Sequence, residues 1–98
     1  MSYQGHNTAL LLAGLVQGEC TAGEVLDRVE RSIQRKINGA GVYVQLDRLE
    51  KNGLVTSRLG SEPGRSGRRP RLWRITGAGE RALREIELSK QGVTYGLA

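Results

Sequence analysis

The sequence contains no phenylalanine, one cysteine, one histidine and two prolines among its 98 residues. Three tyrosines and one tryptophan are the only aromatic residues, so we expect a mainly aliphatic core. The single Cys20 excludes an internal disulfide and a cysteine-based zinc site, which favours a reducing compartment. With His6 as the only histidine, no catalytic Ser/His/Asp set can be assembled. The sequence therefore predicts neither an enzyme nor a metal or cofactor site.

Long hydrophobic runs are also missing. The apolar stretch at residues 9–16 is far shorter than the roughly 20 residues that a membrane-spanning helix needs. The first seven residues lack the basic region of a signal peptide. A chain of this length forms one domain rather than two. We therefore expect a single-domain cytoplasmic protein.

The positive charge is concentrated in the middle of the chain. The whole sequence carries a net charge of +5, whereas residues 35–76 contain ten basic and three acidic residues. The segments before and after them are net negative and neutral, respectively. Although many soluble proteins carry basic surfaces, an excess confined to one segment favours a polyanionic partner.

Apolar residues at helical spacing predict three helices in the first half of the chain. We expect the first helix to begin at a Thr8 cap and to end near Gln17, before Gly18. Residues 21–24, Thr-Ala-Gly-Glu, form a capping-box sequence that opens the second helix. After a short turn at residues 38–41, a third helix is predicted over residues 40–51 and is stopped by Asn-Gly at 52–53.

Beyond this point the apolar spacing changes from about 3.6 to 2, which indicates strands at residues 54–59 and 71–76. The loop between them is rich in Gly, Ser, Pro and Arg, and we expect Trp73 to anchor this hairpin in the core against the third helix. Thr76 is expected to cap a last helix over residues 78–90, followed by a frayed tail at 91–98.

These elements predict a mainly α fold with a small β-hairpin. The architecture is a winged helix-turn-helix with three helices, a two-stranded wing and a C-terminal helix. Residues 1–76 would form the DNA-binding part, and residues 77–98 a C-terminal helix for dimerisation with its tail, all within one domain.

The third helix is the predicted recognition helix, because the second helix of a helix-turn-helix enters the major groove. The small residues at 39–41 allow its N-terminus to approach the duplex closely. Arg48 contacts DNA or pairs with a neighbouring acid such as Asp47 or Glu50. Gln45 reads a base edge or is solvated. The candidate DNA-binding residues at this helix are Lys36, Asn38, Gly41, Tyr43, Val44, Gln45 and Arg48.

The loop of the hairpin supplies a second candidate contact. Arg65, Arg68 and Arg69 lie in a segment with a single acid, Glu62, so phosphate or minor-groove contact is favoured over a merely solvated loop. Arg71 and Arg74 on the returning strand either flank this site or cover Trp73 with their aliphatic stems.

Four segments resemble the PadR family of winged helix transcriptional regulators. Residues 10–15 (Leu-Leu-Leu-Ala-Gly-Leu) and 21–26 are similar to its opening helices, and residues 71–79 to its Tyr-x-Leu-Thr-x-x-Gly segment. Residues 41–55 are similar to the family pattern Leu-Tyr-Pro-x-Leu-x-x-Leu-Glu-x-x-Gly-Leu-Ile. Val44 and Gly41 depart from the Pro and the Ser or Thr common at these positions, so the resemblance carries over no base preference.

The resemblance implies a homodimeric repressor that binds double-stranded DNA. It also implies that Tyr43 contacts the DNA backbone, that the wing arginines flank the site and that the C-terminal helix dimerises with the first helix. It does not identify an effector. The alternatives are an RNA-binding or protein-interaction module without operator specificity, and a phage or plasmid architectural protein.

Overall fold

A computed structural model of the chain describes residues 6–63 and 67–96, with side chains for residues 8–63 and 67–89. Within these ranges the elements follow in the order α1 (His6–Val16), α2 (Ala22–Ile33), α3 (Gly39–Lys51), β1 (Val55–Leu59), β2 (Arg71–Ile75) and α4 (Gly77–Gly96). The predicted winged helix architecture, with three helices, a two-stranded wing and a C-terminal helix, is confirmed.

The core is aliphatic apart from one tryptophan. Leu12, Val25 and Leu46, one from each of the first three helices, are fully buried and pack the helix-turn-helix together. Trp73 is only 2% exposed, so its predicted place in the core is confirmed. Its strand packs mainly on α1, however, whereas α3 contacts β1, and the prediction that Trp73 lies against the third helix is not supported.

The helix ends are fixed largely by the local signals in the sequence. At the start of α2 the Glu24 amide donates to the Thr21 hydroxyl (3.1 Å) and the Thr21 amide donates to the Glu24 carboxylate (2.8 Å), which is the predicted capping box. Gly53 follows α3 with φ +77°, a left-handed conformation that glycine adopts without steric cost. At the start of α4 the Gly79 amide donates to the Thr76 hydroxyl at 3.0 Å.

Two predicted boundaries are wrong. Thr8 does not cap α1: it lies inside the helix and its side chain is buried, because the backbone is already helical at His6. The expected fraying from Gln91 is not found as far as Gly96, where α4 ends. This segment lacks an apolar period, but it contains no proline that would end the helix.

The hairpin is joined to the helices through the connection between α1 and α2. Strand β2 pairs with β1 in antiparallel register, with Ser57 opposite Trp73 and Leu59 opposite Arg71. On its other edge, the backbones of Trp73 and Cys20 exchange two hydrogen bonds of 2.8 and 3.1 Å. The hairpin is therefore fixed to the helix-turn-helix by backbone as well as side-chain contacts.

Candidate nucleic-acid interface

The outer face of α3 is open, as a recognition helix requires. Val42 and Leu46 point into the core, whereas Tyr43 and Val44 are 59% and 53% exposed. Large apolar groups with this exposure lack an internal packing role, and an apolar side chain on such a helix can contact a thymine methyl group. The structure thus leaves Tyr43 and Val44 accessible to a ligand.

The N-terminus of α3 is capped and free of bulky side chains. The Asn38 side-chain oxygen accepts a hydrogen bond from the Ala40 amide at 3.0 Å, so Asn38 is the N-cap, and its side-chain NH₂ group can still donate to another partner. A Cβ atom built on Gly41 would meet nothing closer than Asn38, at 3.9 Å. A phosphate approaching this end would meet free amides and the positive end of the helix dipole.

Gln45 is less accessible than its predicted role suggests. The side chain is half-buried and faces the flank of α3 that packs near α1. It lines a cavity of about 230 Å³ together with Leu10, Ile37 and Asn38. Gln45 is therefore less exposed than Tyr43 and Val44 on the same helix.

Arg48 and Lys36 are both exposed, but they differ in their partners. The intrahelical pairing considered for Arg48 does not form: among the described residues no carboxylate lies within 4.0 Å of its guanidinium. Glu50 instead accepts a hydrogen bond from the Ser57 hydroxyl. The Lys36 ammonium is exposed and lies 3.6 Å from the Glu30 carboxylate, which is largely buried and also accepts a 2.9 Å hydrogen bond from the Ile37 amide.

The hairpin loop carries exposed basic residues. Arg68 and Arg69 are both solvent-exposed, and Gly67 before them has φ +80°. The loop is closed at its base by a 2.7 Å hydrogen bond from the Gly60 amide to the Pro70 carbonyl. The predicted contact residue Arg65 lies outside the described residues.

The strand arginines belong to two separate hydrogen-bond networks. Arg58 binds both carboxylate oxygens of Glu19, in the connection between α1 and α2, at 2.8 Å each. On the other side of the hairpin, Arg71 donates to the Ser57 hydroxyl at 3.0 Å, and Ser57 donates to Glu50 of α3 at 2.8 Å. Strand alternation in the sequence already places Arg71 and Trp73 on one face of the hairpin. The sequence alone does not predict that Arg71 bonds to Ser57 or that Arg58 bonds to Glu19.

The Glu19–Arg58 pair changes the ionisation of both groups. The hydrogen bonds from Arg58 lower the pKa of Glu19, and the carboxylate raises the pKa of Arg58. Elsewhere, burial raises the pKa of the Cys20 thiol, which therefore stays protonated and unreactive at neutral pH.

The described residues contain no cluster of three or more His, Cys, Asp or Glu side chains that could hold a metal ion. Within the same ranges, no helix combines the length and the apolar character that crossing a membrane requires. Basic side chains outnumber acidic ones around α3 and the hairpin, and the exposed arginines at 48, 68, 69 and 71 suit binding of a polyanion better than acid or base catalysis.

Comparisons with known proteins agree with this geometry. The model of the transcriptional regulator PadR-like family matches residues 11–85. A search of curated proteins finds no match to the sequence.

Solved structures similar to this chain include several regulators of the same type. A PadR-like transcription factor from Bacteroides fragilis has a TM-score of 0.78 and 18% identity over 93% of this chain and 85% of its own. A PadR-like transcriptional regulator from Bacillus cereus has a TM-score of 0.73 and 20% identity over 93% and 86%. Bacillus subtilis PadR, solved in complex with operator DNA, has a TM-score of 0.69 and 16% identity over 81% of this chain and 45% of its own.

Proposed function

The chain belongs to the PadR-like family of transcriptional regulators, and from this premise we propose that it binds double-stranded DNA sequence-specifically and represses transcription. The observation that carries the proposal is the exposed outer face of α3, where Tyr43 and Val44 project from a helix whose opposite face is fully packed. A non-enzymatic role in the cytoplasm follows from the same proposal, because a regulator of this kind acts where the DNA is.

In this proposal α3 enters the major groove with its capped N-terminus leading. Tyr43 and Val44 face the duplex. Arg48 and Lys36 approach the phosphates. The side-chain amides of Asn38 and Gln45 form further hydrogen bonds with the DNA. The small Gly41 allows close contact. The similarity in fold to Bacillus subtilis PadR, which was solved in complex with operator DNA, supports DNA as the partner.

The hairpin loop makes the second contact. Arg65, Arg68 and Arg69 reach the phosphates or the minor groove beside the site, which adds affinity without reading sequence. Replacing Arg68 and Arg69 together by alanine then weakens binding to all sequences alike, whereas Gln45→Ala changes the preferred base.

Dimerisation through α1 and α4 completes the proposal. Val16 on α1 and Leu88 on α4 are 52% and 53% exposed, and Val16 lines a shallow depression with Leu83 of α4. Glu80, Arg84 and Glu87 surround this depression, so both charge signs are available to pair across a two-fold axis. A second copy covering this apolar surface would place two recognition helices on one palindromic site.

The test is a titration of the protein with duplex DNA and duplex RNA at several salt concentrations. A DNA-binding regulator prefers duplex DNA, and its affinity falls steeply with salt as counterions return to the phosphates. Selection of bound sites from random duplexes should then yield a palindrome. Equal affinity for RNA, or weak binding that does not respond to salt, would instead indicate an RNA-binding or interaction module.

A further inference from the structure

We propose that Arg71 is a phosphate-contacting residue of this chain, and that Ser57 and Glu50 hold it in place at the junction between α3 and the hairpin. The inference rests on the proposed DNA binding and adds to it a contact on the strand rather than in the loop. It also assigns a positioning role to two side chains that do not themselves touch DNA.

The hydrogen bonds define the orientation of the guanidinium. Its Nη1 donates to the Ser57 Oγ at 3.0 Å, and the Ser57 hydroxyl donates to the Glu50 carboxylate at 2.8 Å. Arginine has five N–H donors in a planar fork, so four remain after this bond. Since Ser57 stands between Arg71 and Glu50, the guanidinium is fixed by a neutral group, and no carboxylate of the described residues lies within 4.0 Å of it.

The strand register puts Arg71 on the side of the hairpin that faces α3. Residues directly opposite in an antiparallel pair share a face, and Ser57 is opposite Trp73 while Arg71 is two positions before Trp73. Glu50 lies seven residues, or two helical turns, after the exposed Tyr43 and hence on the same flank of α3, about 10 Å further along the axis. A DNA backbone that passes between the exposed face of α3 and the hairpin would meet Arg71 there.

Arg58 is an arginine of the same hairpin whose guanidinium, unlike that of Arg71, is paired with a carboxylate. It lies on the opposite face of the hairpin, and both oxygens of Glu19 bind it at 2.8 Å. The Glu19 carboxylate compensates its charge and occupies two of its donors. Arg58 is therefore the matched control for Arg71: an exposed arginine of the same hairpin that has an acidic partner.

The experiment compares Arg71→Gln with Arg58→Gln on a bound duplex over a range of salt concentrations, with circular dichroism to verify that both variants are folded. Losing one phosphate contact makes the negative slope of log K against log salt shallower by about 0.9. We expect this change for Arg71→Gln and an unchanged slope for Arg58→Gln. An unchanged slope for Arg71→Gln, with the wild type still binding, overturns the role of Arg71 and leaves the proposed function standing.

The positioning role is tested at Ser57. Removing the hydroxyl in Ser57→Ala frees the guanidinium, and immobilising it again on binding costs about two- to tenfold in affinity. Ser57→Thr keeps the hydroxyl and should restore binding. In the Arg71→Gln background Ser57→Ala should have no further effect on affinity, whereas in the Arg58→Gln background it should weaken binding as much as it does in the wild type.

The outcomes distinguish an error in the role of Ser57 from an error in the proposed DNA binding. If Ser57→Ala weakens binding equally with and without Arg71, Ser57 acts on the fold of the hairpin and the positioning role is wrong. If the wild-type protein does not bind duplex DNA at all, the proposed function fails rather than the assignment of Arg71 alone.

Discussion

Gly79 lies where α4 crosses the end of the hairpin, and replacing it by alanine should destabilise the protein. A Cβ atom built at this position overlaps the Leu54 carbonyl oxygen and comes within 2.7 Å of the Ile75 Cγ1 atom. The second contact alone is about 0.8 Å shorter than the 3.5 Å at which carbon atoms pack well. The Leu54 carbonyl cannot yield easily, because it is backbone and already accepts a 3.1 Å hydrogen bond from the Thr76 amide.

The size of the effect follows from two opposing contributions. Overpacking of this kind costs about 1–3 kcal/mol, and contact with backbone atoms places this case in the upper part of the range. Alanine favours a helix over glycine by up to about 1 kcal/mol. We therefore expect the free energy of unfolding to fall by about 2 kcal/mol, which for a chain of this size lowers the melting temperature by roughly 10 °C.

The assay is urea unfolding of Gly79→Ala followed by circular dichroism at a fixed protein concentration, since dimerisation makes stability depend on concentration. Gly77→Ala is the control, because it lies in the first turn of the same helix and its Cβ would meet only the mobile end of Arg81, at 3.7 Å. We expect the control to be as stable as the wild type or slightly more so. If Gly79→Ala unfolds at the same urea concentration as Gly77→Ala, the close packing of α4 on the hairpin is not what requires glycine.

Three further predictions concern the core, the ion pair and the recognition helix. Leu46→Ala removes a fully buried side chain and should lower the free energy of unfolding by about 2–5 kcal/mol in the same assay; a smaller loss would mean that α3 is not packed as described. Because the folded-state pKa of Glu19 is lowered, its pairing with Arg58 stabilises the fold above about pH 4.3 and this contribution is lost as the pH falls through the lower folded value. Glu19→Gln should therefore lower the urea midpoint at pH 7 and lower it by less as the pH falls below about 4.3, and an equal shift across this range would contradict the assignment. Gly41→Ala should raise the free energy of unfolding by about 0.5–1 kcal/mol, as expected for an open helical position, and weaken DNA binding; unchanged binding would show that the start of α3 does not approach the duplex closely.

The sequence predicts those parts of the fold that depend on local signals. The capping box at Thr21, the left-handed Gly53 and the cap at Thr76 are each specified by residues within a few positions of one another, and all three form as predicted. Burial of Trp73 also followed from strand alternation. Local rules work here because the groups that satisfy the free amides are close in the chain.

Features that depend on distant contacts were not predictable in this way. The Glu19–Arg58 pair joins residues 39 positions apart, and the Arg71–Ser57–Glu50 network needs both the strand register and the packing of α3 on β1. The partial burial of Gln45 likewise depends on where α1 crosses α3. The prediction of Thr8 as a helix cap was wrong for a related reason. A threonine fits the N-cap position only if the residues before it are not helical, and here the helix already begins at His6.

The pairing of Cys20 with Trp73 has a consequence for how this architecture tolerates change. Strand β2 pairs with β1 along one edge and, through the single bridge at Cys20, with the link between α1 and α2 along the other. An added or deleted residue in that link would shift its alignment with β2 and turn the Cys20 side chain out of the core. Length variation should therefore be better tolerated in the hairpin loop between residues 60 and 70, whose base is closed by the hydrogen bond from the Gly60 amide to the Pro70 carbonyl.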